Sequence, residues 1–361
     1  MRKLSGKRLL TATLFAATLA FSLVGCGSGD AGNDADVSKE TAVDGAGKEE
    51  TKDTSDLKEF RIGAGGADDS PTMEIAKIAY DNGYLEEELN AVGYTVKVSS
   101  FMGAGPEINE ALAAGELDAA IYGDFPAFTS KSNGVDTTII ALVNGQQQYA
   151  VLAANDEIKE AKDLEGKKVI VPQGTVTQYF YEHYVEARGI DASKVEIINA
   201  TGDALSLLQS GDADAYIMQP STLSYYASIG LGTIVDTGSD IPEGSTTYLF
   251  EVASSVLEES PEVGVAVNKA LIRAYQEAVE NPQTLYDAVA SESLPAEFTA
   301  KNYKFDTSLS YMSPEITDDT IAYYKNLNDW LIDHSIISEA VDVDSFVDRS
   351  YYEQAVEELG K

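Results

Sequence analysis

The run Pro172-Gln173-Gly174-Thr175-Val176-Thr177-Gln178-Tyr179 holds residue types, in an order, that bind an anion without any cation. A glycine makes the turn, a hydroxyl residue follows, and a helical stretch begins at once. The N–H groups of such a first turn carry about half a positive charge and accept an anionic group directly. Thr175 also suits an N-cap, an ordinary structural use of the same residue. A second polar set, Asp68, Asp69, Ser70 and Thr72 around Pro71, precedes another helical stretch and offers carboxylates and hydroxyls. A third is Gly123-Asp124-Phe125, a carboxylate beside an aromatic ring at the end of a strand. Capping is the plain alternative for the acids and serines of these loops. Tyr122, Tyr149, Tyr179, Tyr216 and Tyr248 fall at strand ends or helix starts, where rings can close over a small ligand.

No catalytic pattern stands beside these. The two histidines, His183 and His334, have no carboxylate or thiol partner at motif spacing. The nucleophile elbow, the phosphate loop and the His-Glu-x-x-His zinc helix do not occur. Gly63-x-Gly65 lacks the third glycine of a dinucleotide turn, since Asp68 stands there. A single cysteine allows neither an intrachain disulfide nor a thiolate metal site. The residues therefore describe a small-molecule binder that is not an enzyme and uses no cofactor. The chain has 60 Asp and Glu against 25 Lys and Arg, a formal charge of −35. That balance argues against nucleic acid as a partner, which needs a basic face.

The elements that must position these residues recur. Leu112-x-x-Gly115-x-x-Asp118-Ala119 returns as Leu208-x-x-Gly211-x-x-Asp214-Ala215, 96 residues later. Each copy reads as a helix closed by a left-handed glycine, then an Asp turning the chain into a buried strand. Strands are predicted at 60–64, 94–98, 137–143, 149–152, 169–171, 195–198, 233–235 and 248–252. Helices are predicted at 73–80, 107–114, 176–188 and 203–209, then at 262–280, 317–334 and 351–359. Alternating strands and helices imply parallel α/β sheets, here two, with a ligand crevice at the carboxyl ends of the strands. The segments 149–152 and 248–252 read as crossings between lobes.

The N-terminus reads as targeting. Arg2, Lys3, Lys7 and Arg8 precede an uncharged run, 9–24, which is short for a span of roughly 20 residues. The run closes on Leu23-Val24-Gly25-Cys26, which resembles the lipidation signal of bacterial lipoproteins, with cleavage before Cys26. Residues 27–57 have almost no large apolar side chains and read as an acidic, disordered tether. The expected organisation is a signal peptide 1–25, lipidated Cys26 with its tether 26–57, lobe one 58–152, lobe two 153–247, and 248–361 returning to lobe one with C-terminal helices.

The two repeats, together with Gly123-Asp124-x-Pro126 and Ile158…Asp163-Leu164-x-Gly166-Lys167-Lys168-Val169-x-Val171-Pro172-x-Gly174-Thr175, resemble the substrate-binding lipoproteins of bacterial ABC importers for nitrate, sulfonates, taurine and thiamine precursors. The resemblance implies a type 2 periplasmic-binding fold: two α/β lobes, two crossing hinge strands, and a helix-rich C-terminal region packed on lobe one. It implies a small ligand of sulfonate, nitrate or aminosulfonate type, with an aminopyrimidine as the alternative; a pyrimidine-acting enzyme on the same fold and an adhesion lipoprotein are the remaining rival readings. It also implies an ABC permease and cytoplasmic ATPase as partners, at the extracytoplasmic face of the membrane. Carried over, the anion-binding turn falls on Gly174, Thr175 and Thr177. The other cleft loops fall on 68–72 with Asp68, Asp69, Ser70 and Thr72, on 101–105 with Met102, on Gly123, Asp124 and Phe125, and on 219–221 with Gln219. The first-lobe loops carry acids and no evident Arg or Lys, a departure that suits a ligand with an amino group.

Overall fold

In the computed structural model the described residues are 57–66, 73–241, 244–291, 294–303 and 308–360, all in one unit of the chain. Cys26, the leader and tether, and Asp68, Asp69, Ser70 and Thr72 lie outside them. The chain begins with β1 (Lys58–Gly65), α1 (Glu74–Asp81), α2 (Tyr84–Ala91), β2 (Tyr94–Phe101), α3 (Gly105–Ala113), β3 (Ala119–Gly123), α4 (Asp124–Ser132) and β4 (Thr137–Asn144). It crosses into β5 (Ala150–Ala153), β6 (Lys168–Ile170), α5 (Val176–Ala187), β7 (Glu196–Ile198), α6 (Ala204–Ser210), β8 (Ala215–Met218), α7 (Pro220–Ser228) and β9 (Thr233–Thr237). It returns through β10 (Tyr248–Ala253) to α8 (Ser254–Glu259), α9 (Glu262–Glu280), α10 (Pro282–Ala288), α11 (Ala296–Thr299), α12 (Asp318–Asp333), α13 (Val343–Phe346) and α14 (Ser350–Glu358).

Two five-stranded sheets result, in the orders β2-β1-β3-β10-β4 and β7-β6-β8-β5-β9. They match place for place. In each, the fourth strand is the one that has just crossed over, and it runs antiparallel to both its neighbours. This moves one expected boundary. Residues 149–152 were read as the end of lobe one, yet β5 pairs with β8 and β9, so the first crossing precedes it.

The recurring Asp explains the match. Asp118 and Asp214 donate their N–H to Arg61 O and Lys168 O, both at 2.8 Å. Their Oδ2 atoms accept the N–H of those same residues at 2.9 Å. Their carbonyls accept the N–H of Ala253 and Ala154, again at 2.8 Å. One residue thus stitches the strand it starts to the parallel strand beside it and to the crossing strand on its other side. Gly115 and Gly211, at φ of 70° and 76°, close the preceding helices as the repeat requires. Asp214→Ala is expected to lower stability by about 1 kcal/mol, because it removes the side-chain acceptor of the Lys168 N–H. Urea denaturation would measure the loss, and Asp214→Asn should recover part of it.

Most of the C-terminal helices pack on the first sheet's side of the molecule, while α11 lies against α7 of the second lobe. The long α9 lies against α1, α2 and β4. Phe128 of α4 meets Tyr324 and Phe346 with ring centroids 5.4 Å apart. Beyond β4, Val347 bridges to Ile139 and Asp348 N–H donates to Ile139 O at 3.0 Å, which covers the sheet's outer edge.

Candidate ligand-binding site

Between the two sheets, at the carboxyl ends of β1, β3, β6 and β8, a cavity of about 160 Å³ opens. Lobe one supplies Met73, Ala104, Gly105, Ile108, Tyr122 and Gly123. Lobe two supplies Pro172, Thr175, Val176, Thr177, Thr201 and Tyr216, and Tyr248 comes from the second crossing strand. No charged side chain lines it among the described residues. Its polar groups are hydroxyls and main-chain amides.

Two helices begin at this cavity, α3 with nine residues and α5 with twelve. Thr175 is the N-cap foreseen for α5: its Oγ1 accepts the Thr177 N–H at 3.2 Å and donates to Pro172 O at 2.8 Å. Gly174 N–H is also taken, donating to Gln178 Oε1 at 2.8 Å. Two of the four amides from Gly174 to Thr177 are thus already taken. The N–H groups of Thr175 and Val176 meet no acceptor among the described residues, and neither does that of Gly105 at the start of α3. Ala104, just before α3, holds φ 53° and ψ −133°, a conformation only glycine adopts easily. Strain of that kind persists where the surroundings enforce it, often beside a functional site.

The lobes meet closely around the cavity. Val176 of lobe two rests on Gly123 so tightly that a Cβ there would collide with its Cγ1. Pro106 rests on Gly174, whose missing Cβ would lie 3.0 Å from the ring. Met102, half exposed at the rim, fits against Gly202 in the same way. Farther out, Trp330 of α12 packs on Tyr179 and His183 of α5, with centroids 4.8 and 5.4 Å apart. His334 stacks on Trp330 at 4.0 Å, so both histidines gather at the chain's single tryptophan. Ser221 N–H donates to Asn302 Oδ1 at 2.8 Å on another part of the rim.

Of the residues singled out in the sequence, Gly123, Thr175 and Thr177 line the cavity, and Gly174 borders it. Gln219 stands behind, its Nε2 donating to the hydroxyl of Tyr248 at 3.2 Å. Asp124 and Phe125 need correction. They are not loop residues at the crevice but the first turn of α4, 0% and 1% exposed, and neither lines the cavity. Asp124 Oδ2 accepts the N–H and hydroxyl of Thr247 at 2.7 and 2.9 Å and the Tyr323 hydroxyl at 2.8 Å. Its carboxyl is thereby spent inside the protein, and burial raises its pKa to about 6. Gly105 closes the expected cleft loop 101–105, whereas sequence reasoning missed Ile108, Thr201 and Met218, which carry no motif.

A family model described as NMT1/THI5 like matches residues 78–285. A Bacillus subtilis (strain 168) protein named for binding aliphatic sulfonates is 26% identical over 318 residues, covering 85% of this chain and 90% of its own. The taurine-binding periplasmic protein of Escherichia coli (strain K12) is 28% identical over 58% of this chain and 65% of its own. Among solved structures, a periplasmic sulfonate-binding protein of an ABC transporter from Methylobacillus flagellatus KT superposes with a TM-score of 0.69. It is 21% identical and covers 84% of this chain and 96% of its own. The fold is that of the periplasmic binding proteins.

Proposed function

We propose that this chain, which belongs to the NMT1/THI5-like family, is the extracytoplasmic solute-binding component of an ABC importer for a small organic sulfonate. The observation that carries the reading is the meeting of two helix N-termini, from opposite lobes, at one small and largely apolar cavity. A sulfonate needs several hydrogen-bond donors for its oxygens and an apolar wall for its carbon chain. The amides of Gly105, Thr175 and Val176 with the hydroxyls of Thr177, Thr201 and Tyr216 suit the first need. Met73, Ile108, Pro126 and Met218 suit the second. Sulfonate-named and taurine-named relatives support the same ligand class. The protein holds its ligand between closing lobes, presents the closed form to a permease with its ATPase, and leaves the ligand chemically unchanged. The Cys26 anchor read from the sequence would keep such a receptor at the membrane's outer face.

Thermal-shift and calorimetric titration with ethanesulfonate, taurine, nitrate and an aminopyrimidine test this. A sulfonate is expected to bind, adding about 2.7 kcal/mol of stability at 100 times its dissociation constant. Binding of the aminopyrimidine alone would transfer the reading to thiamine precursors. Recovery of sulfite or another product from incubated sulfonate would make the protein an enzyme.

A further inference from the structure

Glu74 and Asp124 are built into the molecule in the same way. Each is the first residue of a lobe-one helix, α1 and α4, and each is buried, 6% and 0% exposed. Neither has an ion-pair partner among the described residues. A buried carboxyl without a cation is costly to ionise, and its hydrogen bonds offset part of that cost. The donors that do so here come from distant parts of the chain, and they correspond.

Glu74 Oε1 accepts from Asn144 Nδ2 at 3.3 Å and Gln147 Nε2 at 3.2 Å, at the start of and within the first crossing segment. It also accepts from the hydroxyl of Tyr303, in the C-terminal region, at 3.3 Å. Asp124 Oδ2 accepts from the N–H and hydroxyl of Thr247, in the second crossing segment, and from Tyr323 of α12. The two crossings are joined to each other as well. Gln147 N–H donates to Thr246 O at 2.8 Å, and the hydroxyls of Tyr149 and Thr246 lie 3.0 Å apart. Glu74 sits at φ 27°, a strained angle for a residue with a side chain, which its surroundings must enforce.

We propose that Glu74 and Asp124 are positioning residues for lobe closure, each fixing one crossing segment to lobe one and joining it to a tyrosine of the C-terminal region. The proposal rests on the reading of the cavity as a site that closes on its ligand. Neither carboxylate lines the cavity. They hold the axis about which lobe two turns, and Tyr303 and Tyr323 let the C-terminal helices bias that axis. A role in general stability would weaken the whole fold; a role at the axis loosens the crossings first.

The test compares Tyr303→Phe, Tyr323→Phe, Glu74→Gln and Asp124→Asn with the natural protein in two measurements. Hydrogen exchange is followed without ligand at 144–149 and 244–248, with β8 as the internal reference. Ethanesulfonate affinity is measured alongside. Exchange in the crossing nearest each change should rise about tenfold while β8 stays as it was. Affinity should fall several-fold in the same variants. Unchanged exchange at the crossings overturns the proposal, as does a rise shared equally with β8 and matched by a fall in unfolding temperature. If the natural protein takes no sulfonate, the ligand reading fails by itself, and the exchange comparison still decides whether these carboxylates hold the axis.

Discussion

Replacing Gly123 by alanine is expected to weaken ligand binding roughly 10- to 100-fold while lowering the unfolding temperature of the empty protein by no more than a few degrees. Gly123 holds φ −79° and ψ 159°, which alanine adopts without strain, so the backbone is no obstacle. The obstacle is Val176, which belongs to the other lobe and would collide with the new Cβ only while the lobes are shut. Overpacking of this kind costs about 1–3 kcal/mol in a core that cannot yield. Here the molecule can yield, by opening, so the cost falls on the closed state and appears as lost affinity. Val176→Ala in the same chain removes the colliding methyl and should restore most of the binding, and the double-mutant cycle then measures the contact itself. Calorimetry on the four proteins decides it. Wild-type affinity in Gly123→Ala would mean that the ligand is held without this closed contact.

The second large effect is of pH on stability. Glu251 of β10 is fully buried, its Oε1 accepting the Tyr122 hydroxyl at 2.5 Å, and burial lifts its pKa from 4.5 to about 8. Burial likewise lifts Glu74 from 4.5 to about 7, against the opposing pull of its hydrogen bonds to Gln147, Asn144 and Tyr303. Between the ordinary carboxylate range and these values the folded protein holds protons that the unfolded chain has released. Stability is therefore greatest below about pH 4 as far as these groups are concerned, and it is lost as pH rises through 7 and 8. Glu74 alone accounts for roughly 3 kcal/mol over that interval. The formal charge of −35 acts in the same direction through self-repulsion, so the wild-type slope is not specific. The variant is. Glu251→Gln cannot ionise, and it should flatten the dependence of urea-unfolding free energy between pH 5.5 and 8.5. An unaltered slope would show that Glu251 titrates alike in the folded and unfolded chain.

What could be read from the sequence follows from how local each signal is. The paired Leu-x-x-Gly-x-x-Asp-Ala runs were legible because the glycine and the Asp serve neighbours in the same α/β unit. From them came two lobes and the crevice at the strand ends, whereas the parallel sheets they implied are mixed, since each takes in one antiparallel crossing strand. Thr175 was legible for the same reason, since an N-cap bonds within its own turn. Asp124 was not. Its partners are Thr247 and Tyr323, 123 and 199 residues away, and a carboxylate before an aromatic looks alike at a crevice and in a core. The helix α4 was missed because Phe125, Pro126, Ala127 and Phe128 are all buried, leaving no polar face to betray its period. His334 meets Trp330 one turn back on the same helix, and only the tertiary fold brings His183 to that ring.

The exchange of strands between the sheets also constrains the order in which the chain can acquire structure. Sheet two needs only 150–237, a continuous stretch, whereas the first sheet's β4 pairs, among the described residues, with β10 and with no other strand. A chain emerging N-terminus first from a ribosome or a membrane channel would present β1 to β4 long before β10 exists. Lobe one must then wait, with the flanks of β3 and β4 bare, until lobe two has formed and the chain has come back. Lobe two has its whole set of strands first, and the half of the molecule that is made first is the last to have its sheet complete.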